Sequence, residues 1–267
     1  MKAPHRVRAD LHNHAANIRQ FNSLIDVMAS RLGEDGILGL LDFFEHRHFS
    51  RVAQLPGYER SWLDDRQGAF YVNEKRIVVI GGQELETQDG ELVAIGLPLK
   101  ARLERGRSLE DALKWSKGNG AITLAVHPFY IDGIGPALEK RPALLDYVDA
   151  VEVFNPCANF WLPAPPFLGC RHANIKALRF YQEVTATRTR PIGACCSSDS
   201  HYLSGLGTSF TVLPLPDKQD FNRSLAAGVR TATPADLVKT PTIRHAARHI
   251  GAIALPILMD KLTGRRA

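Results

Sequence analysis

A chain of 267 residues that is 45% hydrophobic and 23% charged can bury one large core or two small ones, which excludes a disordered or low-complexity protein. The net charge of +5, with a pI near 9.1, comes from lysines and arginines that are scattered apart from small clusters at Arg102–Arg107, Arg188–Arg190 and Arg265–Arg266. Such a diffuse excess suits a small anionic partner and argues against a duplex-DNA binder. The four cysteines (Cys157, Cys170, Cys195, Cys196) form no Cys-x-x-Cys pair, and Met1 to Arg8 lack the apolar run of a signal peptide. Reduced thiols and a cytoplasmic location are therefore expected.

In chain order, Val7–Leu11 reads as a strand, and Ser23–Leu32 has apolar residues at helical spacing and stops at Gly33. Ile37–Phe44 is a second apolar run. Arg47 to Arg66 reads as irregular, with Pro56-Gly57 marking a turn. Arg76–Leu85 is a strand, and after Gln88-Asp89-Gly90 the run Leu92–Leu97 reads as its hairpin partner. Ser108 and Asp111 form a capping-box pattern for a helix through Lys117. Strands follow at Ala121–Val126, Ala150–Phe154, Pro191–Cys196 and Ser209–Leu213. Helices are expected at Pro142–Val148, Ala173–Thr187, Asp217–Ala227 and Thr240–Leu262. The apolar run at Ile250–Met259 is about half the length of a membrane span and contains Pro256, so no span is expected. Strands alternating with helices at this spacing predict parallel βα units closed into a barrel. An open dinucleotide-binding sheet is disfavoured because no Gly-x-Gly-x-x-Gly follows the first strand.

The polar residues that bind metals fall repeatedly at strand ends. His12 and His14 follow the first strand and point to one side of an extended backbone. Asp42 ends the second strand, Glu84 the third, His127 follows Ile-Thr-Leu-Ala-Val, Glu152 lies in Val-Glu-Val-Phe-Asn, and Asp199 and His201 follow Gly193–Ser198. In a parallel barrel those ends open onto one face, so the residues converge there, and imidazole with carboxylate is the donor set of a borderline divalent ion.

His12-x-His14, Gly82-Gln-Glu84, Ala125-Val-His127-Pro128, Val151-Glu-Val-Phe-Asn155 and Ser198-Asp-Ser-His201 resemble, in that order, the motifs of the PHP (polymerase and histidinol phosphatase) superfamily. The resemblance spans about residues 7 to 213. It implies an α/β fold, a distorted (β/α)7 TIM-like barrel; the expected organisation is a single domain over residues 1–240, with 241–267 as a C-terminal helical extension packed on it. It also implies one to three divalent ions (Zn, Mn or Fe) and action on phosphoesters. By the resemblance, His12, His14, Glu84 and Asp199 hold one ion, Glu84 bridges to a second that His127 binds, and His201 sits at a further position. Glu152 and Asn155 are either ligands or hydrogen-bond partners that orient a ligand histidine.

The chain departs from the pattern. Leu41-Asp42-Phe43 stands where the family usually has Thr-Asp-His, Arg19 stands where a further Asp or His ligand is common, and the hairpin from Glu91 lacks a histidine that some members carry. Two readings of the first two losses stay open. Arg19, reinforced by Arg47 and Arg51, grips phosphate in the vacated region, or His46 or His48 folds back to restore coordination. The resulting expectation is a metal-dependent phosphoesterase, with Arg19 neutralising charge and His201 or His127 protonating the leaving oxygen. The alternatives are a metal-dependent amide or ester hydrolase and a non-catalytic metal or phosphate-ligand binding protein. A small phosphorylated substrate ranks ahead of nucleic acid, because no aromatic-rich basic groove is visible.

Overall fold

The structure is a computed structural model that describes residues 5–14, 19–158 and 172–240. The helix expected over Thr240–Leu262, the 241–267 extension and Cys170 therefore lie outside the described residues, Thr240 apart.

Among the described residues eleven strands form one sheet: β1 (Arg6–Asp10), β2 (Ile37–Asp42), β3 (Arg60–Trp62), β4 (Ala69–Val72), β5 (Ile77–Thr87), β6 (Gly90–Ile95), β7 (Ile122–Ala125), β8 (Ala150–Phe154), β9 (Gly193–Cys196), β10 (Phe210–Pro214) and β11 (Leu237–Val238). Their order is β11-β10-β1-β2-β5-β6-β7-β8-β9, with β4 paired to β5 and β3 to β4 at the side. Parallel pairs join β1 to β2, β2 to β5, β7 to β8 and β8 to β9. The β5–β6 hairpin and the β6–β7 pair are antiparallel. This is the distortion of the TIM-like barrel: a hairpin replaces a helical crossover midway round the sheet.

All six residues of β2 are buried, which requires cover on both faces. Alternation decides which face each side chain takes: Ile37 and Leu41 enter the barrel interior with Val7, Ile80, Val93 and Leu124. Leu38 and Leu40 point outward to meet Phe21, Leu24, Ile25 and Met28 of helix α1 (Phe21–Leu32). Replacing Leu41 by Ala would leave a core cavity costing about 2–5 kcal/mol. Gly39 is required by proximity, since a Cβ there would stand 2.2 Å from the Leu11 carbonyl oxygen.

Closure occurs at the chemically important end. Beyond β1 and β9 the chain continues in a parallel Asn13–Ser200 bridge. The Asp199 amide donates to the His12 carbonyl at 2.9 Å, and the His14 amide to the Ser200 carbonyl at 2.8 Å.

Several elements differ from expectation. The Arg47–Arg66 stretch contains helix α2 (His48–Val52) and β3. Its order comes from Arg60, which donates to the carbonyls of Val52 (3.1 Å), Ala53 (2.7 Å) and Leu55 and lies 4.2 Å over the Phe21 ring. Helix α3 (Leu109–Gly118) begins where expected, with Ser108 Oγ accepting from the Asp111 amide at 3.1 Å. Helix α4 (Gly135–Lys140) is additional, and Pro142–Tyr147 is a 3-10 turn. Helix α5 (Ala173–Thr187) packs on β8, and helix α6 occupies Phe221–Thr231, a few residues later than the expected Asp217–Ala227. Glu84 does not end its strand: β5 continues to Thr87, because hairpin pairing with β6 extends it.

Candidate metal centre

His12 and His14 are carried into the barrel mouth by the β1 extension, Glu84 by β5, His127 by the turn after β7, and Asp199 by the turn after β9. All five are buried. His12 Nε2 lies 3.3 Å from Glu84 Oε1 and 3.5 Å from Asp199 Oδ1. His14 Nε2 lies 3.1 Å from Glu84 Oε2, and His127 Nε2 lies 3.4 Å from Glu84 Oε1. Both ring nitrogens of His12 and His14, and Nδ1 of His127, have no aligned hydrogen-bond partner among the described residues. Burying unpartnered imidazole nitrogens is costly. Two ligand atoms each about 2.0–2.2 Å from one tetrahedral ion stand roughly 3.3–3.6 Å apart, the spacing found here. The residues present fit a divalent cation.

Among the described residues, four groups of three have ligand atoms within 4.8 Å of one another: His12, His14 and Glu84; His12, His127 and Asp199; His14, Asp199 and His201; and Glu84, Glu91 and His127. His12, His14, Glu84, His127, Asp199 and His201 are thus brought together. Glu91 joins them unforeseen by the sequence, its Oε2 3.9 Å from His127 Nε2. A single glutamate at the start of a hairpin strand carries no local signal; the pairing of Glu86 with Glu91 across β5 and β6 puts it near Glu84.

The electrostatics are those of crowded buried carboxylates. Burial pulls His12 downward, but Asp199 and Glu84 override it and hold its pKa well above the ordinary value. His127 is raised in the same way, against burial, to about 9, chiefly by Glu84 and Asp199. Burial and the repulsion of Glu84 push Glu91 well up.

Glu152 and Asn155 lie behind these residues. Glu152 Oε2 accepts from the His127 amide (2.8 Å) and Asn155 Nδ2 (3.0 Å), and its Oε1 is 3.5 Å from His12 Nδ1. Asn155 Nδ2 also donates to Asp199 Oδ2 at 3.1 Å. This network braces three candidate ligands, two of which have left-handed backbones: His127 at φ 29° and Asp199 at φ 48°. Such conformations in non-glycine residues persist when the surroundings hold them. Asp10 adds a further brace, accepting from the Ser198 amide (2.8 Å), Ser198 Oγ (2.6 Å) and the Gly207 amide (2.7 Å).

The remaining candidates have other surroundings. Asp42 turns away to accept from the Phe49 amide (2.7 Å) and Ser50 Oγ (3.3 Å), so it caps the start of α2. Phe43 lies flat against His14, with centroids 4.4 Å apart and planes 9° from parallel. His48 meets both rings edge-on, and His46 is parallel to His48 at 6.0 Å. Neither His46 nor His48 belongs to a metal-competent group among the described residues. Arg19 is exposed, just before α1.

No family model matches the chain. The structure of PsfC from Pseudomonas syringae aligns over 95% of this chain and 99% of that one, with a TM-score of 0.62 and 15% identity. A two-domain protein from Bacteroides vulgatus containing a predicted PHP-like metal-dependent phosphoesterase aligns with a TM-score of 0.51 and 16% identity, over 86% of this chain and 64% of that one. The chain shares the fold of these two structures. A lesion-specific endonuclease Q from Pyrococcus furiosus shares this fold, with a TM-score of 0.53 and 15% identity over 85% of this chain and 56% of the endonuclease. In sequence, an uncharacterised protein of Methanocaldococcus jannaschii is 33% identical over 118 residues, which is 42% of this chain and 66% of that protein. The match thus spans just under two thirds of that relative's length. Among the described residues no helix is long and apolar enough to cross a membrane.

Proposed function

We propose that this chain is a metal-dependent phosphoesterase that hydrolyses phosphate esters of a small metabolite or nucleotide. The observation that carries the reading is the convergence of three imidazoles and two carboxylates at 3.1–3.5 Å with unpartnered ring nitrogens, inside a PHP fold. His12, His14, Glu84 and Asp199 would hold one ion, and Glu84, His127 and Glu91 a second. Divalent ions bound there supply Lewis acidity toward a phosphoryl oxygen and lower the pKa of a water molecule.

The chain's own residues do the rest. Glu152 and Asn155 keep His12, His127 and Asp199 oriented, so little reorganisation is needed when substrate arrives. His201, at the edge of the buried cluster, would protonate the leaving oxygen, a role that an imidazole can serve. Arg19 is proposed to neutralise phosphoryl charge from the start of α1.

The test is elemental analysis of protein purified without chelators or a metal-binding tag, with the same sample assayed on p-nitrophenyl phosphate and its diester. Bound divalent metal with turnover that His12→Ala abolishes is the expected result. Metal without turnover on phosphate esters, but with turnover on amides or carboxylic esters, would overturn the phosphoester assignment. No metal and no turnover in a folded protein would overturn the enzyme reading.

A further inference from the structure

Beside His14 the barrel mouth opens into a cleft of about 480 Å³ lined by Phe43, Glu45, His46, Arg47, His48 and Arg51. It adjoins the metal centre, because Phe43 lines it and at the same time lies flat on His14 at 4.4 Å. Three rings define its walls: Phe43, His48 set edge-on to Phe43 at 5.8 Å, and the exposed His46 parallel to His48.

The charge facing the cleft is positive. The Glu45 carboxylate is paired with Arg105, outside the cleft lining. Asp42, underneath, is occupied by the Phe49 amide and Ser50, with Arg102 3.6 Å away. The Arg47 side chain is exposed and makes no hydrogen bond or ion pair among the described residues, while the Arg47 carbonyl accepts from the amide of Arg51, one turn along α2. The wall is also held in place before any ligand arrives, since Arg102 donates to the carbonyls of both Phe43 and Phe44. A preformed wall lowers the ordering cost of binding.

On the strength of the phosphoesterase reading, we propose that this cleft receives the leaving group of the ester, and that it fits one carrying a flat aromatic or heteroaromatic ring with an anionic substituent. The ring stacks on the Phe43 and His46 walls in the offset or edge-on arrangements that aromatic quadrupoles favour. The anionic substituent takes the two-pronged guanidinium of Arg47.

Calorimetry on the metal-replete protein tests this with four probes: inorganic phosphate, cyclohexylphosphonate, phenylphosphonate and 4-carboxyphenylphosphonate. Wild-type affinity should rise from cyclohexyl to phenyl to 4-carboxyphenyl. Arg47→Ala, at an exposed position, should weaken 4-carboxyphenylphosphonate about tenfold or more, the usual size of a charged hydrogen-bonded contact, and leave inorganic phosphate within about twofold. His46→Ala should weaken both aromatic probes about three- to fivefold and spare the cyclohexyl probe.

Equal weakening of all four probes by Arg47→Ala would place that arginine on the reacting phosphate and overturn the proposal. So would equal affinity for cyclohexyl- and phenylphosphonate, or displacement of the aromatic probe by an oligonucleotide at far lower concentration than by a mononucleotide. Turnover of p-nitrophenyl phosphate without these preferences sinks this proposal alone. Absence of both probe binding and turnover sinks the phosphoesterase reading with it.

Discussion

The two ends of the barrel each bury carboxylates, and they handle them in opposite ways. At the N-terminal ends of the parallel strands, Asp149 is fully buried just before β8. It is met by Lys117, by Arg190 at 3.0 Å and Arg230 at 2.6 Å, and by the Thr123 amide at 2.9 Å. Burial works to raise its pKa, and Lys117, Thr123 and Arg230 more than reverse that. At the C-terminal ends, Glu84, Asp199 and Glu91 face imidazoles and one another. The first site is complete within the chain; the second has the donor set that a divalent cation would complete. A buried acid whose partners are all protein cations is a brace, whereas buried acids facing unpartnered histidines form a receptor for a metal.

The largest effect separating the two ends should come from Glu84→Ala. It removes the carboxylate shared by both proposed ions, so bound metal should fall and phosphoester turnover should drop by about 10³-fold or more, with unfolding still cooperative. If turnover survives at more than a tenth of wild type, Glu84 is not the shared ligand. Asp149→Asn should do the converse, leaving metal content intact while lowering stability by about 2–4 kcal/mol, because three partly exposed cations lose their common partner. Denaturant titration together with elemental analysis reads both quantities.

The sign of the pH dependence follows. The folded-state pKa of Asp149 is depressed, so its stabilisation is present above the unfolded value near 4 and is lost as pH falls through the lower folded value. Asp149→Asn should therefore narrow the stability gap between neutral pH and about pH 3; an unchanged gap would show that the brace contributes nothing. Glu152→Gln keeps the shape of the residue behind His12 but removes its charge. A decrease of about 10–100-fold in metal affinity is expected, measured by competition with a chromophoric chelator. The smallest effect is reserved for Arg19→Ala, a fall in kcat/KM of about tenfold; no change would leave Arg19 as a solvated surface cation.

The order of elements and most of the candidate ligands were legible in the sequence for a local reason. Strand periodicity places a residue at the end of a strand, and a barrel brings strand ends to one rim, so His12, His14, His127 and Asp199 needed no knowledge of packing. Asp42 shows where that logic stops. It ends its strand as expected, yet its carboxylate turns to cap α2. Glu91 and Phe43 were beyond local reading, because their roles arise from pairing between β5 and β6 and from ring contact with His14. The sequence by itself determined which residues carry donor atoms for a cation and which of those fall near strand ends. Tertiary structure decided which of them lie within reach of one another, since ligand groups must meet within a few ångströms and that distance is set by strand register, closure and side-chain rotation rather than by neighbours along the chain.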